Sequence, residues 1–350
     1  MSDVVVVGAG IVGSSVAYHL ARRGVPVTLF EQEPTAAAGV TGASFAWIGG
    51  SVGEWPGGAL DLREYVVADY RRLEAELPQV TLRRTGSLSW AAAPPDDARL
   101  RPGQTRVGRG DIACLEPNLR DPPDRAVHTP SDAGVDPRAL TRALVSAAEA
   151  HGATVLRETA VTSLHLVDGR VGGVVSSRGL HTATTVVLTA GTNVPGLCQP
   201  LAIDLPIAAS PATLVRVSAP PGLVKTIVDS PGLEVRESRD GELLLPVGPG
   251  EGGATPMEQT AQAALQRLKR AFHGSDQCRL LDYRTSSRPM PAPGPLIGYA
   301  TPDRSLYVAV MHSAITLAPT AGRLVAEELV TGRPSPELRR CRPRVGPSAA

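Results

Sequence analysis

The first run, Asp3–Val7 ("DVVVV"), is apolar after its first residue and shows no polar alternation, so it predicts a parallel strand buried on both faces. Ile11, Val12, Ser15, Val16, His19 and Leu20 then recur near helical spacing, with Gly24 as the stop. Val25–Phe30 is a second apolar run, and it closes on Glu31. Further on, Leu62, Tyr65, Val66, Leu73 and Leu77 form the buried stripe of one amphipathic helix over Ala59–Leu77. "VTLRRTGSLSWAA" predicts two strands about Gly86, and residues 94–130 are broken by Pro and Gly into loops and short elements. Asp136 and Pro137 open a helix with the stripe Leu140, Leu144, Ala147 and a stop at Gly152.

Short strands follow, with a turn at Asp168–Gly169. "TTVVLTAGTNV" is another buried strand that ends in small residues. Residues 202–247 predict strands interrupted by "APPG" and "SPG" turns. Thr255-Pro256-Met257-Glu258 has the form of a capping box for a helix through Phe272. Near the end, "SLYVAV" predicts a strand, and a helix is expected to start at Pro319. The chain beyond Gly332 is rich in Arg and Pro and is expected to be peripheral.

Composition narrows the function classes. The 350 residues carry a net charge of +1 and no basic block, which leaves no electrostatic footprint for nucleic acid or anionic lipid. No run approaches the length of a membrane span, and the N-terminus lacks a secretory pattern. The four cysteines, Cys114, Cys198, Cys278 and Cys341, have no metal-ligand spacing and are expected to be reduced thiols in a cytoplasmic protein without a metal.

The chemistry begins between the first strand and helix. Gly8, Gly10 and Gly13 stand in GxGxxG spacing, with Ala9, Ile11 and Val12 between them. Gly8 permits the tight turn, Gly10 lets backbone approach a pyrophosphate, and Gly13 lets helix and strand pack closely. The helix N-terminus offers free amides and partial positive charge to phosphate. Glu31, followed by Gln32, ends the second strand where a carboxylate can accept the ribose hydroxyls. This context makes the motif specific for a dinucleotide but does not choose between NAD and FAD. The expected fold is therefore α/β. A discontinuous Rossmann-type domain (1–80, 131–200 and 281–335) has a mixed, β-rich substrate domain (81–130 and 201–280) inserted, and 336–350 form a tail.

Several separated stretches resemble the D-amino-acid oxidase/glycine oxidase family of FAD enzymes. They are the opening thirty residues, "TGAS", "GVDPRALTRALVSAAEAHGATVLRETAVTSL", "TAGTNV", "SSRPMPAPGPLIG" and "LYVAVMHSAITLAPTAGRLVAEELVTG". They occur in the family's order and cover about half the chain. The resemblance implies a glycine-oxidase-like fold and FAD as cofactor. It implies that Gly8, Gly10 and Gly13 contact the pyrophosphate and Glu31 the ribose. Gly42, Ala43 and Ser44 would run beside the pyrophosphate and flavin, and Val161 would present its backbone to adenine. Ala190 and Gly191 would approach from a second strand. His312, Ser313, Ala314, Ile315, Thr316 and Leu317 would pass the flavin edge, where helix amides can stabilise negative charge.

Arg288 aligns with the arginine that grips substrate carboxylate in amino-acid-oxidising members; the competing roles are a surface salt bridge and a fold-stabilising contact. For His312, flavin contact competes with turn packing, with a plain surface imidazole and with proton transfer. Trp47 and Trp55 either wall the cavity or join the core. Ser286 and Ala314 stand where the family more often has glycine, which bears on the substrate more than on FAD. Thr285–Gly298 contains no cysteine, so non-covalent FAD is expected.

The implied activity is oxidation of a C–N bond in a small amine or amino acid, with hydride passing to flavin N5 and O2 as acceptor, giving an imine and H2O2. Rival expectations are a 2-hydroxy-acid dehydrogenase, a natural-product tailoring oxidase, a tRNA-modifying oxidase and a non-catalytic dinucleotide-binding redox protein. Oligomerisation is left open.

Overall fold

The computed structural model describes residues 3–49, 56–91, 100–248 and 257–344. Trp55 and the Thr255–Pro256 half of the expected capping box lie outside the described residues.

Fourteen elements position the site. In chain order they are β1 (Val4–Val7), α1 (Ile11–Ala21), β2 (Val27–Phe30), α2 (Pro137–Ala150), β3 (Thr154–Leu156), β4 (Thr185–Leu188), β5 (Ile207–Ser218), β6 (Ile227–Ser230), β7 (Leu233–Arg239), β8 (Glu242–Val247), β9 (Arg279–Pro291), β10 (Leu296–Tyr299), β11 (Leu306–Val310) and α3 (Ala314–Thr331).

The first sheet has the order β10-β11-β4-β1-β2-β3. All its pairings are parallel except β10 with β11. Strand alternation decides where each valine goes. Val4 and Val6 join the helical side, with residues of α1, α2 and α3. Val5 and Val7 face Leu164, Val171 and Val174, which belong to a three-stranded antiparallel sheet covering the other face. A strand buried on both sides thus explains the unbroken valine run. The Asp168–Gly169 turn of that small sheet has φ of 51° and 78°, the left-handed pair that a tight hairpin needs. Asp136 caps α2 as expected, accepting from the Arg138 and Ala139 amides at 2.9 and 3.0 Å.

The second sheet has eight strands: β9-β5-β8-β7-β6, then Ser87–Ser89, Arg125–Thr129 and Thr105–Gly108. Its apolar face packs on the helix Met257–Ala271 through Leu265, Leu268 and Phe272. β9 spans residues assigned from sequence to the dinucleotide domain. It is instead an edge strand of this second sheet, paired with β5 along nearly its whole length.

Four other expectations are corrected. The helix over Ala59–Leu77 is two, Ala59–Arg63 and Val66–Glu76, and Tyr65 at the break is exposed, with Arg323 stacked over its ring. Only Ser87–Ser89 forms a strand beside Gly86; on the other side Arg83 makes an isolated bridge to Gly134. The last helix starts at Ala314, not Pro319. Proline has no N–H to give the carbonyl four residues back. That carbonyl, of Ile315, takes its hydrogen bond from the Tyr70 hydroxyl instead. Finally, the tail is not all peripheral. Leu338 and Cys341 are fully buried, and Arg342 pairs with the buried carboxylate of Glu328.

The second sheet is tied to the loops at Phe45 and Val135 by Arg236 of β7, which is 1% exposed. Its guanidinium donates to the carbonyls of Phe45 at 2.6 Å, Val135 at 2.8 Å and Glu237 at 3.3 Å. Burial lowers its pKa to about 10, so it remains charged at neutral pH. Arg236→Met is expected to strand these carbonyls and cost about 3 kcal/mol or more, read as a lower midpoint in urea unfolding.

Candidate active site

The glycine motif is built on contact. A Cβ on Gly13 would overlap the Gly8 carbonyl oxygen and Thr189 Oγ1. Thr189 in turn donates to the Val7 and Gly8 carbonyls at 2.7 and 3.0 Å, which locks the ends of β1 and β4 together. Gly8 has φ of 103° and lies against Thr189 and Ala190, so Ala190 and Gly191 stand beside the first loop.

Glu31 is 9% exposed at the end of β2. Its Oε2 accepts the Ala9 amide at 2.9 Å and its Oε1 the Glu33 amide at 3.0 Å. Burial raises its pKa, and these amides oppose the rise. The Thr159 amide bonds the Glu31 carbonyl at 2.8 Å, which brings the segment leading to Val161 to the same end of the sheet. Gln32 contributes its backbone there.

Thr41 was not singled out from the sequence. Its Oγ1 accepts the Ile11 amide at 3.2 Å, in the first turn of α1. Its signal was a hydroxyl preceding Gly42 in a loop of small residues. Gly42 itself is hemmed by Ala37 and by Arg138, whose Nε donates to the Gly42 carbonyl at 3.2 Å. The groups fit a dinucleotide: a helix N-terminus, two loops too close for side chains, and a buried carboxylate at the second strand's end.

A cavity of about 470 Å³ lies between the two sheets. Ile11, Ala43, Ser44, Phe45 and Trp47 line it from the first domain, as do His312, Ser313, Ala314, Ile315 and Thr316 at the start of α3. Ser313 is in the left-handed region, φ 57°, and turns the chain into the helix. Ala314, Ile315 and Thr316 therefore form the helix's first turn. Leu317 follows within the helix, outside the cavity lining: its side chain is fully buried, and its amide bonds the Ser313 carbonyl at 3.1 Å. Trp47 walls the cavity. Its Nε1 donates to Asp132 at 2.9 Å, and its carbonyl accepts the Thr316 hydroxyl at 2.9 Å.

The facing wall is the second sheet. Arg288 and Ser286 come from β9, Ala212 and Leu214 from β5, Pro246 from β8, Glu234 from β7 and Asp229 from β6. Arg288 Nη2 donates to Ser210 Oγ at 3.0 Å, while its buried Nε has no partner. Among the described residues Arg288 has no salt bridge, while its bond to Ser210 is a contact between β9 and β5. His312 shares a 3.1 Å contact between Nδ1 and Ser313 Oγ. Although His312 is exposed, partial loss of solvation in the cavity wall, and then the nearby Arg288 guanidinium, hold its imidazole below the usual value, which favours the neutral form at pH 7.

Arg288 and His312 are thus brought into one cavity, next to the first turns of α1 and α3. Asp229 and Glu234 were missed from the sequence, although "DSPGLE" sets one acid on each arm of a hairpin about the Pro231–Gly232 turn. Among the described residues there is no cluster of three metal-ligating side chains and no helix long and apolar enough to cross a membrane.

Comparison with known proteins agrees with this geometry. A D-amino acid dehydrogenase of Paramagnetospirillum magneticum is 30% identical over 253 residues, 68% of this chain and 59% of that protein. A glycine oxidase of Bacillus licheniformis is 26% identical over 357 residues, 95% of this chain and 94% of that protein. The structure of glycine oxidase from Bacillus cereus superposes with a TM-score of 0.84 at 22% identity and covers 97% of each chain. The family model described as FAD dependent oxidoreductase (DAO) matches residues 3–328, and with the dinucleotide site at one end of its first sheet and a cavity beside it, the chain belongs to that family.

Proposed function

We propose that the protein oxidises a C–N bond of a small amine or amino acid that carries a carboxylate. The observation that carries this is Arg288: a guanidinium with an unpartnered donor, on the cavity wall that faces the start of α3. A planar carboxylate fits its fork. Anchored there, the substrate is oriented across the cavity with its reacting carbon toward the α3 turn. When held beside the first turns of α1 and α3, FAD would supply the two-electron acceptor for the hydride and the route for those electrons to O2, giving H2O2.

The chain's own groups do the rest. The amides of Ala314, Ile315 and Thr316 end the cavity with partial positive charge, suited to an anionic ring edge. His312, uncharged at pH 7, adds no positive charge that would repel a substrate ammonium. Its principal role is as a neighbour of the cofactor edge. Hydride loss needs a neutral amine, and a neutral imidazole can accept the ammonium proton; Nδ1 is already engaged by Ser313, which leaves Nε2. The imine leaves and is hydrolysed to carbonyl and amine.

No cysteine lines the cavity, which supports non-covalent FAD. Acid precipitation is expected to leave a colourless pellet and a yellow supernatant. The activity is tested by incubating the loaded enzyme with amino acids, secondary amines and 2-hydroxy acids, scoring peroxide and released amine together. Peroxide with stoichiometric amine or carbonyl product supports the proposal. Turnover of hydroxy acids alone would move the reaction to a C–O bond. Turnover with a dye but not with O2 would make the protein a dehydrogenase.

A further inference from the structure

The cavity wall is charged at both ends and apolar between. In the order β9-β5-β8-β7-β6, Arg288 on β9 and Glu234 on β7 stand three strand spacings apart. At about 4.8 Å per spacing the two strand axes are about 14 Å apart. Register sets Arg288 four residues further along, since Leu214 pairs with Arg284 and Ser210 with Arg288, and the long Arg288 side chain still reaches close enough to act electrostatically on Glu234. Leu214 and Pro246, which pair directly across β5 and β8, form the apolar floor between them. Glu234 and Asp229 are direct cross-strand partners on β7 and β6, so both carboxylates project from the same face.

Neither end is satisfied by the protein. Arg288 forms no ion pair with Glu234 or Asp229, and its Nε is buried without a partner. The Glu234 carboxylate accepts no hydrogen bond from any described residue. Asp229 has a hydrogen bond with Ser89. Like charges placed directly opposite in a sheet are destabilising. The nearest cation on the same strand, Arg236, is spent on backbone carbonyls. A cation without an ion-pair partner at one end and two adjacent carboxyl groups at the other, one of which keeps its proton at neutral pH in the absence of a bound cation, complement a ligand of opposite polarity.

We propose that Asp229 and Glu234 form a subsite for a cationic group at the far end of the substrate. The substrate is then an amino carboxylate whose second basic group, an ammonium or guanidinium, lies several carbons from the carboxylate. This rests on the assignment of Arg288 as the carboxylate grip. The α-ammonium of an ordinary amino acid sits too close to its own carboxylate to span the apolar floor.

Without a bound cation Glu234 keeps its proton at neutral pH, and a bound cation would favour its loss. Burial, then Asp229, push Glu234 up to about 8, while Arg288 and Arg236 oppose the rise; burial also raises Asp229. The groups facing Glu234 are Asp229, Arg288, Arg236 and, across the cavity, the neutral His312. A carboxyl raised on folding contributes stability below its unfolded value of 4.5 and loses it as pH climbs toward about 8. Glu234→Gln is therefore expected to melt several degrees above the parent at pH 9, with the gap nearly closing at pH 5. No gap at pH 9 would contradict the unpaired carboxylate.

The direct test is calorimetric titration of the FAD-loaded enzyme. The probes are ω-amino acids from 4-aminobutyrate to 8-aminooctanoate, each against the matching unsubstituted fatty acid. One chain length is expected to bind at least about tenfold tighter than its fatty acid. Glu234→Gln, and separately Asp229→Asn, should erase that advantage and leave the fatty-acid affinity unchanged. An ammonium that adds no affinity at any length, or an advantage that survives both substitutions, overturns the subsite while the oxidation proposal stands. Fatty-acid binding that is indifferent to Arg288→Ala overturns the carboxylate grip on which the subsite rests.

Discussion

Arg288→Ala is expected to lower kcat/KM for carboxylate-bearing substrates by about 100–1000-fold, most of it in KM. Removing one partner of an enclosed, hydrogen-bonded charge pair costs about 2–5 kcal/mol, and each 1.4 kcal/mol is tenfold. Amines without a carboxylate should lose little, because they never used the guanidinium. Arg288→Lys should recover only part of the loss: an ammonium keeps the charge but not the bidentate fork. A second readout separates this from a folding defect. Arg288 is one of the two causes that hold His312 below its usual value. Its removal should move any acid limb set by His312 to higher pH. Equal loss with and without the carboxylate would make Arg288 a structural residue.

Gly13→Ala is expected to yield protein that takes up no FAD and melts well below the parent. The added methyl meets a backbone carbonyl and the Thr189 hydroxyl that holds β1 to β4, so nothing soft can yield. Overpacking of this kind costs about 1–3 kcal/mol even where neighbours can move. Gly24→Ala is a useful control: Gly24 ends α1 with nothing near its Cβ position, so its φ of 74° should cost stability without touching the cofactor. Visible absorbance and a thermal melt of both variants separate the outcomes. A yellow Gly13→Ala protein would remove the close strand–helix contact from the account of the dinucleotide site.

What could be read from the chain was local. The valine run, the glycine spacing, Glu31 and the Asp136 cap each have a cause within about thirty residues, and each appears where expected. The turn into α3 was legible too, but its start was misplaced, because a proline usually opens a helix. Here Tyr70, far away in sequence, supplies the donor that the proline lacks. The second sheet was poorly legible. β9 joins it only through pairing with β5, so Arg288 reaches the cavity from a strand that the sequence order assigns elsewhere. Nothing in the sequence marks Glu234 and Asp229 as site residues until strand register sets them opposite each other and turns that face toward the cavity. Arg236 looked like one more arginine among many; its role comes from carbonyls of Phe45 and Val135 in other parts of the chain.

One measurement tests the central claim most directly. The purified protein is incubated with FAD, freed of unbound cofactor, and titrated without oxygen with carboxylate-bearing amines and with 2-hydroxy acids, followed in the visible spectrum. The account predicts a yellow protein that is bleached by at least one such amine and regains its colour on admission of air. A protein that stays colourless after incubation with FAD, or a yellow one bleached by hydroxy acids and by no amine, would contradict it.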